Sequence, residues 1–369
     1  MMNKKFKLII AGGKTGGHLF PGIAIAQALE RMSENAKILF VGTDAPFETN
    51  TLQAYGYAHK AIYSKPIKGG SLWGKLISVS IVLISLTQSL IIMKTIKPDF
   101  VIGVGGFSSF AVVLAAWLLN IPTAIQEQNA VPGMTNRMLA RFARTIFTSF
   151  EHTQGFSNNP KVHYVGNPVR KIKLSDADKD STDLDIHPDR FTLLITGGSQ
   201  GASSINTAMM NAFELMDNPN RFNIIHQTGI KEEAQIQKRY KQLNIKATAK
   251  AFFHDMPNIQ KMADLIITRA GAGILSELCI HGKPAILIPF PHAADDHQTV
   301  NAKTLEEQGA AVMINDAQLT GSSVKAMIEN LMQDRSRLEK MGKAIKALAM
   351  PDADKTIATH ILQTKDGRA

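Results

Sequence analysis

Cysteine is almost missing from this chain: Cys279 is the only one in 369 residues. No intramolecular disulfide can form, neither a zinc cage nor a disulfide scaffold fits, and a reducing cytoplasm is the natural address. Aromatic side chains are also scarce, at 7%. There is no RNP-like aromatic motif, no zinc-finger spacing and no long Lys/Arg run, so nucleic acid is a poor partner for a chain whose formal net charge is +10. An anionic bilayer or a phosphorylated substrate remains. A leader peptide is not expected either: Lys4, Lys5 and Lys7 precede an apolar stretch, but it ends at once in Gly12-Gly13 and reads as a first buried strand.

What the chain does have is length for two domains and an apolar content of 44% to fill their cores. β-prone runs, glycine-rich turns and helical periodicity alternate, which is the pattern of βαβ units and parallel sheets. The plan occurs twice. Lys7 to Ala11 leads into Gly12-Gly13-Lys14-Thr15-Gly16-Gly17 and a helix from about Pro21, while Phe191 to Thr196 leads into Gly197-Gly198-Ser199-Gln200-Gly201-Ala202 and a helix through Ile205, Ala208 and Met209. A second pair matches as well: Phe100 to Ile102 runs into Gly103-Val104-Gly105-Gly106, and Leu265 to Ile267 into Arg269-Ala270-Gly271-Ala272-Gly273. The expected architecture is α/β, with two doubly wound Rossmann-like domains facing a deep cleft. The first covers residues 1–166 and the second 167–351, with a C-terminal helix in 352–369 packing back onto the first; the polar stretch from Ser175 to Asp189 lies just past the boundary.

Glycine turns at strand ends let a backbone approach phosphate closely, and helix N-termini attract its charge. One such loop is as often a mere tight turn; four of them favour a site. Gly13-Lys14-Thr15 is not a P-loop, because the glycine required five positions earlier is Leu8. A dinucleotide site remains an alternative, with wrong glycine spacing but with Asp44 after the next strand. His18 follows the first loop, where the positive end of a helix favours a neutral ring suited to general-base work; the bland alternative is a loop cap. Glu277, in the helix after Gly271 to Gly273, can accept both hydroxyl protons of a ribose, or can simply be an acid near a helix start. Arg170 and Arg269 are candidates for neutralising pyrophosphate, or surface ion pairs. Asp295, Asp296, His297 and Gln298, with Asn301 nearby, read better as sugar-hydroxyl contacts than as metal ligands.

The segment Leu72 to Met93 is unusually apolar. Val79, Val82, Leu83, Leu86, Leu90 and Met93 form a stripe suited to packing on a sheet. Ile77, Ile81, Ile84 and Ile91 on the other side are unusual for a soluble helix. Serines and Gln88 argue against a transmembrane span. Lys65, Lys68, Lys75, Lys94 and Lys97 flank the segment, so docking on an anionic membrane surface is expected; the bland alternative is a buried crossover helix with incidental lysines.

Five motifs together resemble the MurG family of peptidoglycan glycosyltransferases. They are Gly12 to His18 with Pro21-Gly22, Gln126-Glu127-Gln128-Asn129, Gly166-Asn167-Pro168-Val169-Arg170, Gly197 to Ala202, and Arg269 to Ala272 through Ser276-Glu277. The resemblance spans nearly the whole chain. It implies a GT-B fold and transfer of N-acetylglucosamine from UDP-GlcNAc, with inversion, to the 4-hydroxyl of MurNAc in lipid I, with no tightly held metal and no cofactor. By the family pattern, donor contacts fall on Thr15, Gly16, Gly17, Asn129, Arg170, Ser199, Phe253 and Gln298, and on Ala272, Gly273, Ile274, Leu275, Ser276 and Glu277; Phe253 holds the uracil through its backbone. His18 and Asn129 lie near the reacting hydroxyl, and Glu127 joins them as a catalytic candidate. The implied location is peripheral, on the cytoplasmic face of the cell membrane, with other cell-wall synthesis or division proteins as partners. Asp-x-Asp pairs at Asp176/Asp178, Asp183/Asp185 and Asp352/Asp354 follow no strand, so no essential metal is expected. Gln126, His297, Phe107 and Ile274 depart from residues found in other members. A UDP-GlcNAc 2-epimerase is the alternative of the same fold.

Overall fold

The computed structural model describes residues 5–13, 15–65, 72–170 and 180–365, without the side chains of 72–77, 182, 183 and 365. Lys14, Lys68, Asp176, Asp178 and the Lys75 side chain thus lie outside the described residues. The chain divides into two compact units, Met1–Lys171 with Met350–Ala369, and Ile172–Ala349. The division falls beyond the expected Gly166–Asn167 boundary because the crossing segment is held by the first unit. Gly166, at φ +84°, lies so close to Met350 that a Cβ would sit 2.2 Å from the Met350 Cβ, and the Arg170 guanidinium lies 3.4 Å from the Phe20 ring centroid.

The first unit runs β1 (Phe6–Ala11), α1 (Gly16–Met32), β2 (Ala36–Gly42), α2 (Pro46–Ala54), β3 (Ala58–Ala61), α3 (Leu72–Ile96), β4 (Phe100–Gly103), α4 (Phe107–Leu118), β5 (Thr123–Glu127), α5 (Met134–Leu139), β6 (Thr145–Thr148) and β7 (Val162–Tyr164). Its sheet is parallel throughout, in the order β3-β2-β1-β4-β5-β6-β7. Side chains alternate across it: Leu8 and Ile10 enter one core with α1, while Ile9 and Ala11 enter the other with α4. Burial on both faces is why β1 reads as a continuous apolar run.

The second unit runs β8 (Phe191–Thr196), α6 (Ser203–Leu215), β9 (Phe222–Gln227), α7 (Glu233–Gln242), β10 (Ala247–Lys250), α8 (Met256–Met262), β11 (Leu265–Thr268), α9 (Ala272–His281), β12 (Ala285–Leu287), α10 (His297–Glu307), β13 (Ala311–Met313), α11 (Gly321–Gln333) and α12 (Arg335–Ala347). Its parallel sheet has the order β10-β9-β8-β11-β12-β13. The final helix α13 (Ala353–Lys365) belongs to the first unit, where Ile357, Ala358 and Ile361 enter the α1 core and Asp354 pairs with Arg31 at 2.7 Å.

Two elements differ from the sequence reading. Helix α1 begins at Gly16 rather than near Pro21, with Thr15 as N-cap and Pro21 inside it. His18 therefore occupies the first turn, and Pro21 donates no amide to the Gly17 carbonyl. Helix α3 buries part of the expected stripe, with Leu86, Leu90 and Met93 packing on the core, but elsewhere serines replace it: Ser78, Ser85 and Ser89 are buried with Ile92, whereas Val79 and Leu83 are 56% and 58% exposed. Burial is tolerable because these hydroxyls satisfy themselves on the helix, Ser85 donating to the Ile81 carbonyl at 2.8 Å and Ser89 to that of Ser85 at 2.7 Å.

The second unit hides a titratable group in its core. His226 is fully buried between the Tyr240 hydroxyl at 2.9 Å and Asn206 Oδ1 at 3.0 Å, and burial pushes its pKa down to about 3. Burial, with Lys261, Lys346 and Lys283 nearby, pushes His281 down to about 4. Unfolding lets both rings take up protons near pH 6.5, so stability falls as the pH drops from about 6.5 toward these values. We expect denaturation midpoints to decline steadily between pH 7 and pH 4, with His226 alone contributing on the order of 3 kcal/mol at the acid end. A flat profile would refute the assignment, and His226→Gln should be shallower than the parent.

Candidate functional sites at the strand ends

In each sheet the strand order reverses at the first strand of its unit, the place where open α/β sheets bind ligands beyond their carboxyl ends. In the first unit, that places the loop after β1 beside the loop after β4. Gly12 has φ +111°, and a Cβ there would lie 1.9 Å from the Gly105 carbonyl oxygen. A Cβ at Gly105 would lie 2.6 Å from His18 Nδ1. These two glycines allow the loops and the His18 ring to pack. Gly17 is different: a Cβ there meets nothing within 4 Å. Its openness suits an approaching ligand rather than internal packing, and exposed Thr15 and partly buried Gly16 stand beside it at the start of α1.

His18 Nδ1 lies 3.1 Å from Gln128 Oε1. The Gln128 amide orientation is set from its other side, since Nε2 donates to the Val104 carbonyl at 2.8 Å and to the Gln126 carbonyl and side-chain oxygen. Oε1 then faces His18 and accepts from it, which puts a proton on Nδ1 and, in the neutral ring, leaves the lone pair on Nε2. Gln126, buried on β5, continues the chain by donating to Ser149 Oγ at 3.1 Å and Asn167 Oδ1 at 3.2 Å. Gln128 was not among the expected site residues; the signal was the run of amide and acid side chains ending a buried strand.

Glu127, expected to be catalytic, is only 1% exposed. Its carboxylate accepts from Asn129 N at 3.0 Å, Gly133 N at 3.1 Å and Asn136 Nδ2 at 2.8 Å. Burial pushes its pKa up against the pull of these donors. With both oxygens engaged, it shapes the loop that presents half-buried Asn129 rather than facing a substrate. Arg170 spreads over Phe20, with Tyr55 further off at 5.8 Å.

In the second unit, Ser199 lies exposed in the loop between β8 and α6. That loop is locked by Gly201, at φ +76°, where a Cβ would come 2.2 Å from the Thr228 carbonyl oxygen. After β11, Gly271 caps α9, and a Cβ at Gly271 or Gly273 meets nothing within 4 Å. The first turn of α9 thus presents open backbone. Leu275 is buried and Ser276 bonds the Ala272 carbonyl, so Ala272, Gly273 and Ile274 offer backbone, and Glu277 is the polar side chain of this stretch suited to a sugar. Glu277 sits in the second turn, where buried Gln260 donates to its Oε2 at 2.7 Å.

Three expectations change in detail. Arg269 is committed inside the fold, to Asp316 at 2.6 Å, Ser204 Oγ at 2.8 Å and the Ile288 and Pro289 carbonyls, so it braces these loops instead of offering a free fork to phosphate. Phe253 is fully buried and its N–H is taken by Gln227 Oε1 at 3.0 Å, so a backbone contact to a base would run through its carbonyl. Gln298 Oε1 accepts from Ala270 N and Phe290 N, which directs its NH2 outward as a donor. Asp180 ties the segment before β8 to the same region through Lys250 Nζ at 2.7 Å and His254 N at 2.6 Å, a contact with no signal in the sequence. Asp296 caps α10 and bonds Thr299, and among the described residues no cluster of His, Cys, Asp or Glu is arranged to hold a metal ion.

Residues 8–148 match the glycosyltransferase family 28 N-terminal domain, and residues 192–357 match the glycosyltransferase family 28 C-terminal domain. The UDP-N-acetylglucosamine--N-acetylmuramyl-(pentapeptide) pyrophosphoryl-undecaprenol N-acetylglucosamine transferase of Myxococcus xanthus (strain DK1622) is 40% identical over 353 residues, covering 95% of this chain and 91% of that protein. The crystal structure of Acinetobacter baumannii MurG is similar with a TM-score of 0.78 at 30% identity, covering 97% of this chain and 99% of that one. UDP-GlcNAc 2-epimerase from Neisseria meningitidis, bound to UDP-GlcNAc, has a TM-score of 0.65 at 16% identity over 97% of this chain and 99% of that one, a likeness of fold alone.

Proposed function

The chain belongs to glycosyltransferase family 28, with the GT-B fold of its MurG relatives, and on that premise we propose how its own residues carry the reaction. It transfers N-acetylglucosamine from UDP-GlcNAc to lipid I, giving lipid II. The observation that carries this function is identity of 40% with a named transferase along almost the full length of both chains.

In our reading, the acceptor 4-hydroxyl attacks C1 of the sugar as its proton passes to His18 Nε2. The C1–O bond to UDP breaks on the opposite side, and the centre inverts. Gln128 holds the productive tautomer, and Glu127 places Asn129. Open backbone at the start of α9 and the loop bearing Ser199 receive the departing diphosphate. Glu277, oriented by Gln260, takes the ribose hydroxyls. Glu277→Gln should therefore raise the KM for UDP-GlcNAc by about 10-fold or more, because the amide keeps one acceptor oxygen, which Gln260 takes, and turns a donor toward the ribose hydroxyls. The same change should shrink the preference for UDP over 2′-deoxy-UDP in competition assays, and an unchanged preference would remove Glu277 from this role.

We also infer peripheral attachment to the cytoplasmic face of the membrane. Helix α3 exposes Val79, Leu83, Ile84 and Ile91, and Lys94 is exposed in its last turn with Lys97 just beyond. Ser78–Ile96 has the length and apolarity of a span, but α3 connects β3 and β4 of one sheet, which favours lying on a bilayer over crossing it. Leu83→Glu with Ile91→Glu should abolish flotation with anionic vesicles; retained flotation would count against this face.

Radiolabel transfer from UDP-GlcNAc to a lipid I analogue, with UDP-glucose as control, tests the function itself. UDP released without a labelled lipid product, or N-acetylmannosamine among the products, would favour the epimerase reading.

A further inference from the structure

The reaction described above has no use for one apolar groove in the first unit. It lies open to solvent between α3, α4 and α5. Its walls are Ile81 and Val82 from α3, Phe107 and Phe110 from α4, and Met134 and Met138 from α5. Phe107, Met134 and Met138 are 40%, 57% and 42% exposed, a concentration of large apolar surface that needs an occupant. We propose that this groove holds the prenyl chain of the acceptor at the isoprene units next to the pyrophosphate, a proposal that rests on the transferase reading.

Position supports this occupant. Phe107 is the first residue of α4 and directly follows Gly105-Gly106, the glycine turn placed beside Gly12 and His18. Met134 opens α5, directly after the loop held by Glu127. One end of the groove therefore adjoins the loops suited to a diphosphate. Its α3 wall belongs to the helix that exposes Val79, Leu83 and Ile84, the face read above as membrane-docking. A lipid diphosphate reaching from a bilayer to His18 needs an apolar path between those two places, and the groove supplies one.

Its chemistry fits as well. Ser85, the polar residue on the α3 wall, spends its hydroxyl on the Ile81 and Tyr63 carbonyls and makes no demand on a ligand. Lys65 stands at the rim, 5.1 Å from the Tyr63 ring centroid, where an ammonium complements an anionic headgroup. The groove is an open surface channel and not a closed cavity. It suits the proximal isoprenes and not the whole length of a long polyprenol.

The test uses the full chain without detergent or vesicles, so that membrane docking contributes nothing. Two acceptors share the pyrophosphoryl sugar-peptide and differ only in carrying a ten-carbon prenyl group or a methyl group. The parent should favour the prenyl acceptor by at least about 10-fold in kcat/KM, since even a few buried methylenes are worth that much. Val82→Asp and Met138→Trp, which make the groove polar and fill it respectively, should each cut the preference below about 3-fold. Leu83→Asp, outside the groove on the same helix, should leave the preference intact. Equal kcat/KM for both acceptors in the parent, or a preference that survives both groove variants, would overturn the groove alone. A parent that glycosylates neither acceptor would overturn the transferase reading together with it.

Discussion

Replacing His18 with alanine should lower kcat by about 10²–10⁴-fold while the KM for UDP-GlcNAc stays within a few-fold of the parent, because a general base acts in the transition state and contributes little to ground-state binding. Neighbouring Gln128 supplies the sharper test. Its Oε1 faces His18 Nδ1 at 3.1 Å, and its amide is oriented by the Val104 carbonyl at 2.8 Å. Gln128→Leu removes the acceptor that keeps the proton on Nδ1, so kcat should fall by about 10-fold or more without loss of donor affinity. Gln128→Glu places a carboxylate against Nδ1–H and stabilises the imidazolium. The ring then stays protonated to higher pH, and the acid limb of the kcat profile should move up in pH while the alkaline plateau survives. An acid limb that does not move in Gln128→Glu, or near-normal kcat in His18→Ala, would place the base elsewhere.

The doubly wound architecture was legible because parallel strands buried on both faces must be apolar at every position, as in Leu8 to Ala11, and because each glycine turn marks a strand end. The site was legible only in part. Candidate residues such as Thr15 and Ser199, both exposed, and half-buried Glu277 stand at strand ends or in the helices that follow them. What sequence could not give was commitment: Arg269 looks like a phosphate fork until Asp316, Ser204 and two carbonyls are seen to occupy it. Glu127 looks like an acid for catalysis until three loop donors close around it. Those partners lie on other elements, and no local pattern announces them. The expected α3 stripe holds at Leu86, Leu90 and Met93 and breaks at Val79 and Leu83 for a related reason. Hydropathy counts a serine as polar, yet one that bonds the carbonyl four residues back is small and satisfied, and it packs inward while Val79 and Leu83 turn out.

A distinction between glycine kept for packing and glycine left open to a ligand predicts opposite outcomes at two positions of one glycine-rich segment, Gly12 before α1 and Gly17 in its first turn. Gly12→Ala should destabilise the first unit by about 3 kcal/mol or more, because its Cβ would overlap the Gly105 carbonyl oxygen at 1.9 Å and the residue holds φ at +111°. Neither backbone can yield without moving β1 or β4, so the thermal midpoint and the activity should fall together. Gly17→Ala meets nothing within 4 Å and lies inside a helix. Its stability should hold or rise by up to about 1 kcal/mol. Its kcat/KM should nevertheless drop by about 10-fold or more, since a methyl group there stands where a substrate must approach the start of α1. Purified Gly17→Ala that melts no lower than the parent but transfers sugar poorly would identify the open glycine as substrate-facing. Full activity in that variant would move the substrate away from the first turn of α1.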